Sequence, residues 1–185
     1  MTSAPGVSAL ADELLPLIRD VPDFPEPGVT FKDISLLLAD HDAFGATVRA
    51  LAAPGRDAAG ALLVDKVVGI EARGFILGAP VALALGAGFV PVRKLGKLPG
   101  TTYAATYALE YGEATLEVHR DALGTGERVL VVDDVLATGG TVEATAELVR
   151  RAGATVASVS VLLELQALGG RERLRALALH AVLTV

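Results

Sequence analysis

The segment from Val129 to Thr141 constrains the fold of this chain more than any other stretch. The apolar run VLVV leads into the acid pair Asp133 and Asp134, a short turn and the sequence TGGT. An apolar, β-branched run of this kind predicts a buried parallel strand, and the residues after the turn are typical of a helix. Open α/β sheets bind ligands at the carboxyl ends of their strands, so we expect a binding site here.

The turn has the composition of a phosphate-binding loop. Gly139 and Gly140 leave backbone N–H groups uncovered and tolerate positive φ, and the following helix start adds free N–H groups and a positive dipole end. Thr138 and Thr141 can add hydroxyl donors. The acid pair could bind sugar hydroxyls or a divalent cation. A solvated strand end and an ordinary Gly-Gly turn are the alternatives for either half alone, but the order of the parts favours a sugar phosphate.

The composition predicts a globular protein. The chain has 185 residues, of which 52% are hydrophobic and 21% charged, enough for one domain with a buried core. The net charge of −6, without a basic tail, argues against nucleic acid as the main partner. The uncharged stretch Gly74–Val92 approaches the length of a membrane span, but its glycines and prolines favour a buried helix followed by a strand.

Residue usage also bears on location and metal binding. The chain contains no cysteine, which excludes disulfides and thiol catalysis and is typical of a reducing compartment. His41, His119 and His180 lack the spacing of metal ligands. The N-terminus lacks the basic region and continuous apolar core of a signal peptide, so we expect a cytoplasmic protein without a membrane partner.

The pattern of apolar residues predicts an α/β fold built on two strand–helix–strand units. The first comprises a strand ending at Ile70, the sequence EARG, a helix over Phe75–Leu85 stopped by Gly86, and a strand over Gly88–Val92. The second comprises a strand over Val129–Val132, a helix from about Thr141 to Ala152 stopped by Gly153, and a strand over Thr155–Leu163. Short connections of this kind imply a parallel twisted sheet with right-handed crossovers, flanked by helices.

Other segments lie outside these units. A helix capped by Ser8 is predicted for Ser8–Arg19, and another for His41–Leu51. Three prolines hold Val21–Ser35 extended. The alternation in Tyr103–Glu110 predicts part of a β-hairpin leaving the sheet. Because no linker or repeat divides the sequence, we expect a single domain over residues 1–185.

Two further segments could bind anions. In the sequence Glu71–Gly74, at the second strand-to-helix junction, Arg73 can make a forked contact with phosphate, although a surface salt bridge is equally compatible. The basic segment RKLGKLPG carries Arg93, Lys94 and Lys97 directly after a predicted parallel strand. In an acidic protein this cluster suggests a ligand with more than one phosphate, and a solvated loop is the alternative.

Taken together, these segments resemble the type I phosphoribosyltransferases from about Pro22 to Leu174. VVDDVLATGGT is similar to that family's signature for 5-phosphoribosyl 1-pyrophosphate, and PDFPEPGVTFKDIS, EARGF, RKLGKLPG and ALEYG resemble its members that act on adenine. The resemblance implies a small N-terminal hood formed by about residues 1–35 and a flexible hairpin loop. It also implies that adenine and 5-phosphoribosyl 1-pyrophosphate are converted to AMP and pyrophosphate, with Mg²⁺, by a homodimer.

The resemblance implies roles at the phosphoribosyl end of the site. The 5′-phosphate would be held by the backbone of the loop Ala137, Thr138, Gly139, Gly140 and Thr141. Asp133 and Asp134 would bind the 2′- and 3′-hydroxyls of the ribose. Arg73 would face the pyrophosphate from a loop that often contains a cis peptide. Arg93, Lys94 and Lys97 would hold the leaving pyrophosphate, some of them from a neighbouring subunit. We expect Mg²⁺ to be bound mainly through substrate and water.

Other residues belong to the base end by the same resemblance. Phe31 and Lys32 would lie at the adenine in the hood, and Leu165 would pack near it from the C-terminal side. Glu110 and Tyr111 would belong to a loop that closes over the site. Our hypothesis is that Glu110 accepts the proton of adenine N9 as the new bond forms.

Three alternatives remain open from the sequence. A related enzyme for another purine or for a pyrimidine would share the signature VVDDVLATGGT. A regulator that senses 5-phosphoribosyl 1-pyrophosphate without catalysis would require an added DNA-binding helix pair and a basic face, which the charge disfavours. A phosphorelay receiver would use acids on several strand ends and an invading lysine, and the TGGT loop fits it poorly.

Overall fold

The computed structural model describes residues 5–108 and 112–185. The chain forms two compact units, Met1–Ala50 and Leu51–Val185. Up to residue 52 it contains short elements: α1 (Pro5–Leu14), a 3₁₀ turn (Leu15–Leu17), β1 (Arg19–Val21), β2 (Phe31–Asp33), α2 (Ser35–Ala39) and α3 (His41–Ala52). Strands β1 and β2 pair antiparallel as a two-stranded sheet.

The N-terminal elements confirm the helix predicted for His41–Leu51 and correct the one predicted for Ser8–Arg19. Helix α1 begins at Pro5, so Ser8 lies inside it and is not its cap, and Arg19 already belongs to β1. The helix gives way to a 3₁₀ turn around Pro16. Proline has no N–H to donate and its ring clashes with the preceding turn, which explains the early end.

The larger unit carries a mostly parallel sheet of seven strands, flanked by helices. Its elements are β3 (Lys66–Ile70), α4 (Arg73–Leu85), β4 (Gly88–Lys94), β5 (Thr102–Ala108), β6 (Glu113–His119), β7 (Arg128–Leu136), α5 (Gly140–Arg151), β8 (Thr155–Glu164), α6 (Gly170–Arg173) and β9 (Leu179–Thr184). The strand order is β5-β6-β4-β3-β7-β8-β9. Only the β4–β6 and β5–β6 pairs are antiparallel. The two predicted strand–helix–strand units are confirmed. The predicted hairpin is present, but it does not leave the sheet, because β6 pairs with β4 and β5 lies at the sheet's edge.

Several predicted boundaries are wrong, and for two strands the cause is pairing with a neighbouring strand. Strand β7 continues beyond Val132, through both aspartates to Leu136, since β8 pairs with it as far as Glu164. Strand β4 extends to Lys94, where it pairs with β6. Helix α4 begins at Arg73, two residues before the predicted start. The sequence analysis missed β9 and α6 altogether.

The core of the larger unit consists of aliphatic side chains. The fully buried examples include Ile70, Leu77, Leu130, Leu148 and Leu163. Gly86 ends α4 with φ 72°, as the sequence predicted. None of the helices in the described part of the chain combines the length and apolar character that crossing a bilayer requires.

Candidate active site

The carboxyl ends of β3, β7 and β8 lie side by side in the parallel part of the sheet. The residues that follow these strands are Glu71 and Ala72, the loop Ala137–Gly139, and Leu165. The N–H of Leu165 donates to the carbonyl oxygen of Leu136 at 2.9 Å. The fold therefore brings together three of the predicted site segments at one edge of the sheet.

The loop after β7 has the geometry of an anion-binding helix start. Gly139 adopts φ 84° and caps α5, which begins at Gly140. Only glycine adopts such a φ without strain, and the first N–H groups of the helix then point out of the turn. Residues 135–142 line a small cavity of about 60 Å³. This arrangement suits a phosphate group.

The acid pair lies in β7 itself and is buried. Asp133 is 8% exposed and Asp134 is 6% exposed. The predicted end of the strand at Val132 is therefore wrong, since β8 extends the ladder past both residues, and the alternative of a solvated strand end does not fit their burial. Arg73 reaches the pair from the start of α4, with its Nη2 2.6 Å from Oδ2 of Asp134.

Burial and repulsion act together on Asp133. The pKa of its carboxyl is raised well above the ordinary value of 3.8, first because burial disfavours the charge and second because Asp134 carries a like charge, while Arg73 acts in the opposite direction. Oδ1 of Asp133 accepts the N–H of Asp134 at 2.9 Å. A Cβ added to Gly74 would come within 2.8 Å of that same oxygen, so glycine is needed at this position.

The Glu71–Gly74 loop joins the basic segment through Glu71. The Glu71–Ala72 peptide is cis, as the family resemblance implied. Oε2 of Glu71 accepts Nε of Arg93 at 3.1 Å and the N–H of Lys94 at 3.0 Å. Partial burial alone would raise the pKa of Glu71, but these two donors outweigh it and lower the pKa. Arg93 also donates to the carbonyl oxygen of Lys97 at 3.0 Å. This hydrogen bond connects the two ends of the segment that carries the three predicted cations.

Two of the predicted site residues belong to the smaller unit, and two more are outside the described residues. Phe31 and Lys32 belong to β2 in the smaller unit, where Nζ of Lys32 contacts Asp20 at 2.7 Å and the ring of Phe31 packs edge-on against Phe24. Glu110 and Tyr111 lie outside the described residues, and their roles stay predictions.

The sequence analysis missed residues that support the loop. Gly170 packs so closely that a Cβ there would stand 2.2 Å from the carbonyl oxygen of Ala137. Glu164, buried at the end of β8, pairs with Arg171. Tyr107 places its hydroxyl 3.2 Å from Oγ1 of Thr141. The Gly169–Gly170 pair could have flagged the close approach, whereas no sequence signal distinguishes Tyr107.

Comparison with known proteins identifies the class to which this sheet, its glycine-capped helix start and its buried acid pair belong, the phosphoribosyl transferases. Residues 37–178 match the family model of the phosphoribosyl transferase domain. An adenine phosphoribosyltransferase of Nocardioides sp. is 66% identical over 98% of this chain and 96% of that protein. One of Streptomyces coelicolor is 62% identical over the full length of both.

Solved structures give the same result. The crystal structure of adenine phosphoribosyltransferase from Rhodothermus marinus matches with a TM-score of 0.90 and 50% identity, over 96% of this chain and 99% of that one. The Saccharomyces cerevisiae enzyme, solved with an iminoaltritol bisphosphate and adenine, matches with a TM-score of 0.89 and 37% identity, over 95% and 99%. The chain belongs to the phosphoribosyl transferase family and, within it, to the adenine phosphoribosyltransferases.

Proposed function

We propose that this enzyme transfers the 5-phosphoribosyl group from 5-phosphoribosyl 1-pyrophosphate to N9 of adenine, giving AMP and pyrophosphate. The observation that carries the proposal is the juxtaposition of three parts at one sheet edge: the glycine-capped start of α5, the buried acid pair of β7, and Arg73. The adenine specificity rests on the names of the relatives, which cover almost the whole chain.

The 5′-phosphate is proposed to lie at the start of α5. The N–H groups of residues 137–141 would donate to its oxygens, and the positive end of the helix dipole would favour its charge. The phosphate then holds one end of the substrate in a fixed place. Fixing that end lowers the entropic cost of bringing C1 of the ribose to the attacking nitrogen.

The ribose and the pyrophosphate are proposed to lie along the acid pair and the cations. Asp133 and Asp134 would accept the 2′- and 3′-hydroxyls, and Arg73 would turn from Asp134 towards the pyrophosphate. As the C1–oxygen bond breaks, negative charge grows on the leaving pyrophosphate, and positive charge grows on the ribose ring. The segment that contains Arg93 and Lys94, tied to Glu71, would stabilise the leaving group.

The donor set suits Mg²⁺ held largely by the substrate. Carboxylate oxygens such as those of Asp133 and Asp134 are ligands that Mg²⁺ accepts, but residues 5–108 and 112–185 contain no group of three or more His, Cys, Asp or Glu placed to hold a metal ion. We propose that Mg²⁺ would be held mainly by the substrate and water, with Asp133 and Asp134 as the nearest carboxylates of the chain. Its chemical contribution is to neutralise charge on the leaving group.

The base end of the site rests on the family resemblance. Phe31, Lys32 and Leu165 are proposed as adenine contacts, with Glu110 as the group that takes the N9 proton and Tyr111 as its neighbour in the closing loop. The bond from N9 to C1 forms as the bond from C1 to the pyrophosphate oxygen breaks. The proton released from N9 passes to the Glu110 carboxylate, so charge balances across the step.

A homodimer in the cytoplasm completes the proposal. Helix α4 carries no charged residue after Arg73, and its Ile76 and Leu83 side chains are 46% and 83% exposed. An apolar face of this kind suits a second copy of the chain. In sedimentation experiments, Leu83→Glu should shift the dimer towards monomer and Leu168→Glu, at another exposed leucine, should not. An unchanged dimer in both variants would remove α4 from the interface.

One assay tests the reaction. The protein is mixed with Mg²⁺, 5-phosphoribosyl 1-pyrophosphate and each of adenine, guanine, hypoxanthine, xanthine and uracil, and nucleotide formation is followed. We expect AMP from adenine and little product from the others. Product from a different base would retain the enzyme class and change the substrate. Binding of 5-phosphoribosyl 1-pyrophosphate without product from any base would favour the sensing regulator.

A further inference from the structure

Strand β5 is fastened to helix α5 near both ends of the helix. At the start of α5, the hydroxyl of Tyr107 lies 3.2 Å from Oγ1 of Thr141. Near its end, Nη1 of Arg151 donates to the carbonyl oxygen of Ala104 at 2.6 Å. Arg151 is itself held by Glu147 at 2.8 Å. These bonds align the strand with the helix whose first turn forms the phosphate loop.

The ring of Tyr107 is held in place independently of its hydroxyl. It is half-buried and packs against the main apolar cluster of the larger unit, which includes Val142 and Leu148 of α5. A buried ring with a polar tip at a wet surface is a common use of tyrosine. Because the ring is packed, the hydroxyl stays near Thr141 and cannot swing away.

The two hydroxyls together have a donor to spare. Each carries one hydrogen, and the bond between them uses that of Thr141, whose hydroxyl donates to the Tyr107 oxygen. The O–H of Tyr107 is therefore left to donate to another acceptor. Because Thr141 is the second residue of α5, this O–H lies beside the helix start that would receive an anion.

We propose that Tyr107 is a further binding and positioning residue of the 5′-phosphate site. Its oxygen accepts the Thr141 hydroxyl and so holds the rotamer of Thr141, and its own O–H donates one side-chain hydrogen bond to a phosphate oxygen in addition to the backbone donors. The inference rests on the proposed function, because it takes the α5 start as the phosphate site. The ligand class is a phosphate monoester, and the base end of the substrate is not involved.

The strand offers a matched control. Tyr103 lies four residues before Tyr107, so both side chains are on the same side of β5, and its ring also packs against the apolar cluster. The guanidinium of Arg120 stands 4.9 Å from the centre of the Tyr103 ring. Tyr103→Phe and Tyr107→Phe each remove one oxygen and keep the ring.

The test measures binding of ribose 5-phosphate by calorimetry and steady-state kinetics of the full chain. Tyr107→Phe should weaken ribose 5-phosphate about tenfold and raise the KM for 5-phosphoribosyl 1-pyrophosphate by a similar factor. The KM for adenine and the melting temperature should stay close to the wild-type values. Tyr103→Phe should leave all four quantities unchanged.

A double-mutant cycle separates the role from general loosening. In a Thr141→Val background, Tyr107→Phe should cause a smaller loss of ribose 5-phosphate affinity than in the wild type, because Thr141 no longer orients the Tyr107 hydroxyl. Additive losses, an unchanged affinity in Tyr107→Phe, or an equal loss in Tyr103→Phe would each overturn the proposal. A wild-type protein that binds no ribose 5-phosphate would instead contradict the proposed function.

Discussion

Arg73 and Asp134 form an ion pair that joins the start of α4 to the carboxyl-terminal part of β7, with Nη2 and Oδ2 2.6 Å apart. Without substrate, the cation expected at the pyrophosphate and the acid expected at the ribose satisfy each other. A ligand that carries both a pyrophosphate and a diol offers each of them a new partner. The pair compensates the charge of a buried acid, and under the proposed function the substrate would take the place of each partner.

Arg73→Gln should remove the positive charge both from the ion pair with Asp134 and from the proposed pyrophosphate site. We expect kcat/KM for 5-phosphoribosyl 1-pyrophosphate to fall at least about 100-fold, because a charged donor to the leaving pyrophosphate is lost. Steady-state kinetics would measure the loss. Arg128→Gln is the control, since that exposed guanidinium makes only a 3.9 Å contact with Asp65. Near-wild-type kinetics for Arg73→Gln would contradict its assignment to the pyrophosphate.

Asp133→Asn should increase the stability of the ligand-free protein and weaken ribose binding. The folded state raises the pKa of Asp133, so it binds that proton more tightly than the unfolded chain does. The carboxyl therefore contributes stability below its ordinary pKa of 3.8, and that contribution is lost as the pH rises through the raised value. At pH 8 the asparagine variant should melt about 2–4 °C higher, the effect of about 1 kcal/mol.

The pH dependence is the sharper part of this experiment. The difference in melting temperature between Asp133→Asn and wild type should shrink as the pH falls towards 4. Asp121→Asn, at an exposed acid after β6, should show no such trend. A variant that melts lower than wild type at pH 8 would mean that the ionised Asp133 is stabilised by its surroundings, against our prediction.

The predictions that succeeded rest on residues whose signal is local. Gly139 and Gly140 mark the start of α5 by themselves, because a positive φ and a bare N–H need no distant partner. Gly86 and Gly153 ended their helices for the same reason, with φ 72° and 83°. The glycine-capped helix start after β7 was therefore predictable in position and in backbone conformation.

The predictions that failed depend on distant partners. Aspartate disfavours strands, so the sequence pattern ended β7 at Val132, and only the ladder with β8 carries it to Leu136. The burial of the acid pair follows from that extension. Tyr107 and Thr141 are 34 positions apart, and Gly170 meets Ala137 through a close contact of backbones. Neither contact produces a periodic pattern in the sequence from which it could have been predicted.

Glu110→Gln should reduce turnover and spare the affinity for 5-phosphoribosyl 1-pyrophosphate. An amide keeps the size of the side chain but cannot accept the N9 proton, and a general base contributes about 10²–10⁴-fold. Rapid-quench measurement of AMP formation would give the chemical rate. Glu113→Gln, at an exposed residue of β6, is the control. Near-normal turnover in Glu110→Gln would remove Glu110 from the mechanism.

Gly170→Ala should displace the backbone of the proposed phosphate-binding loop at Ala137. The new Cβ would meet the carbonyl oxygen of Ala137 at 2.2 Å and Leu136 at 3.0 Å, so the loop backbone must shift. We expect a loss of about 1–3 kcal/mol in stability, together with weaker binding of ribose 5-phosphate. Denaturant unfolding and calorimetry would measure the two effects.

Gly88→Ala provides a comparison for that variant. A Cβ at Gly88 would make only ordinary contacts with Lys66, the nearest at 3.5 Å. It should leave the phosphate affinity at the wild-type value. If Gly170→Ala bound ribose 5-phosphate as well as Gly88→Ala does, the close contact with Ala137 would have no bearing on the loop.

The seating of Gly170 on Ala137 also limits how this scaffold can be redesigned. The turn Gln166–Leu168 is the exposed part of the segment after β8, and it is where length and side chains can vary. Gly170, which follows that turn, tolerates neither an insertion nor a larger residue. It contacts the backbone of Ala137, which belongs to the loop proposed to bind the sugar phosphate. Engineering of a new nucleobase preference should therefore vary the turn Gln166–Leu168 and leave Gly170 and its contact with Ala137 unchanged.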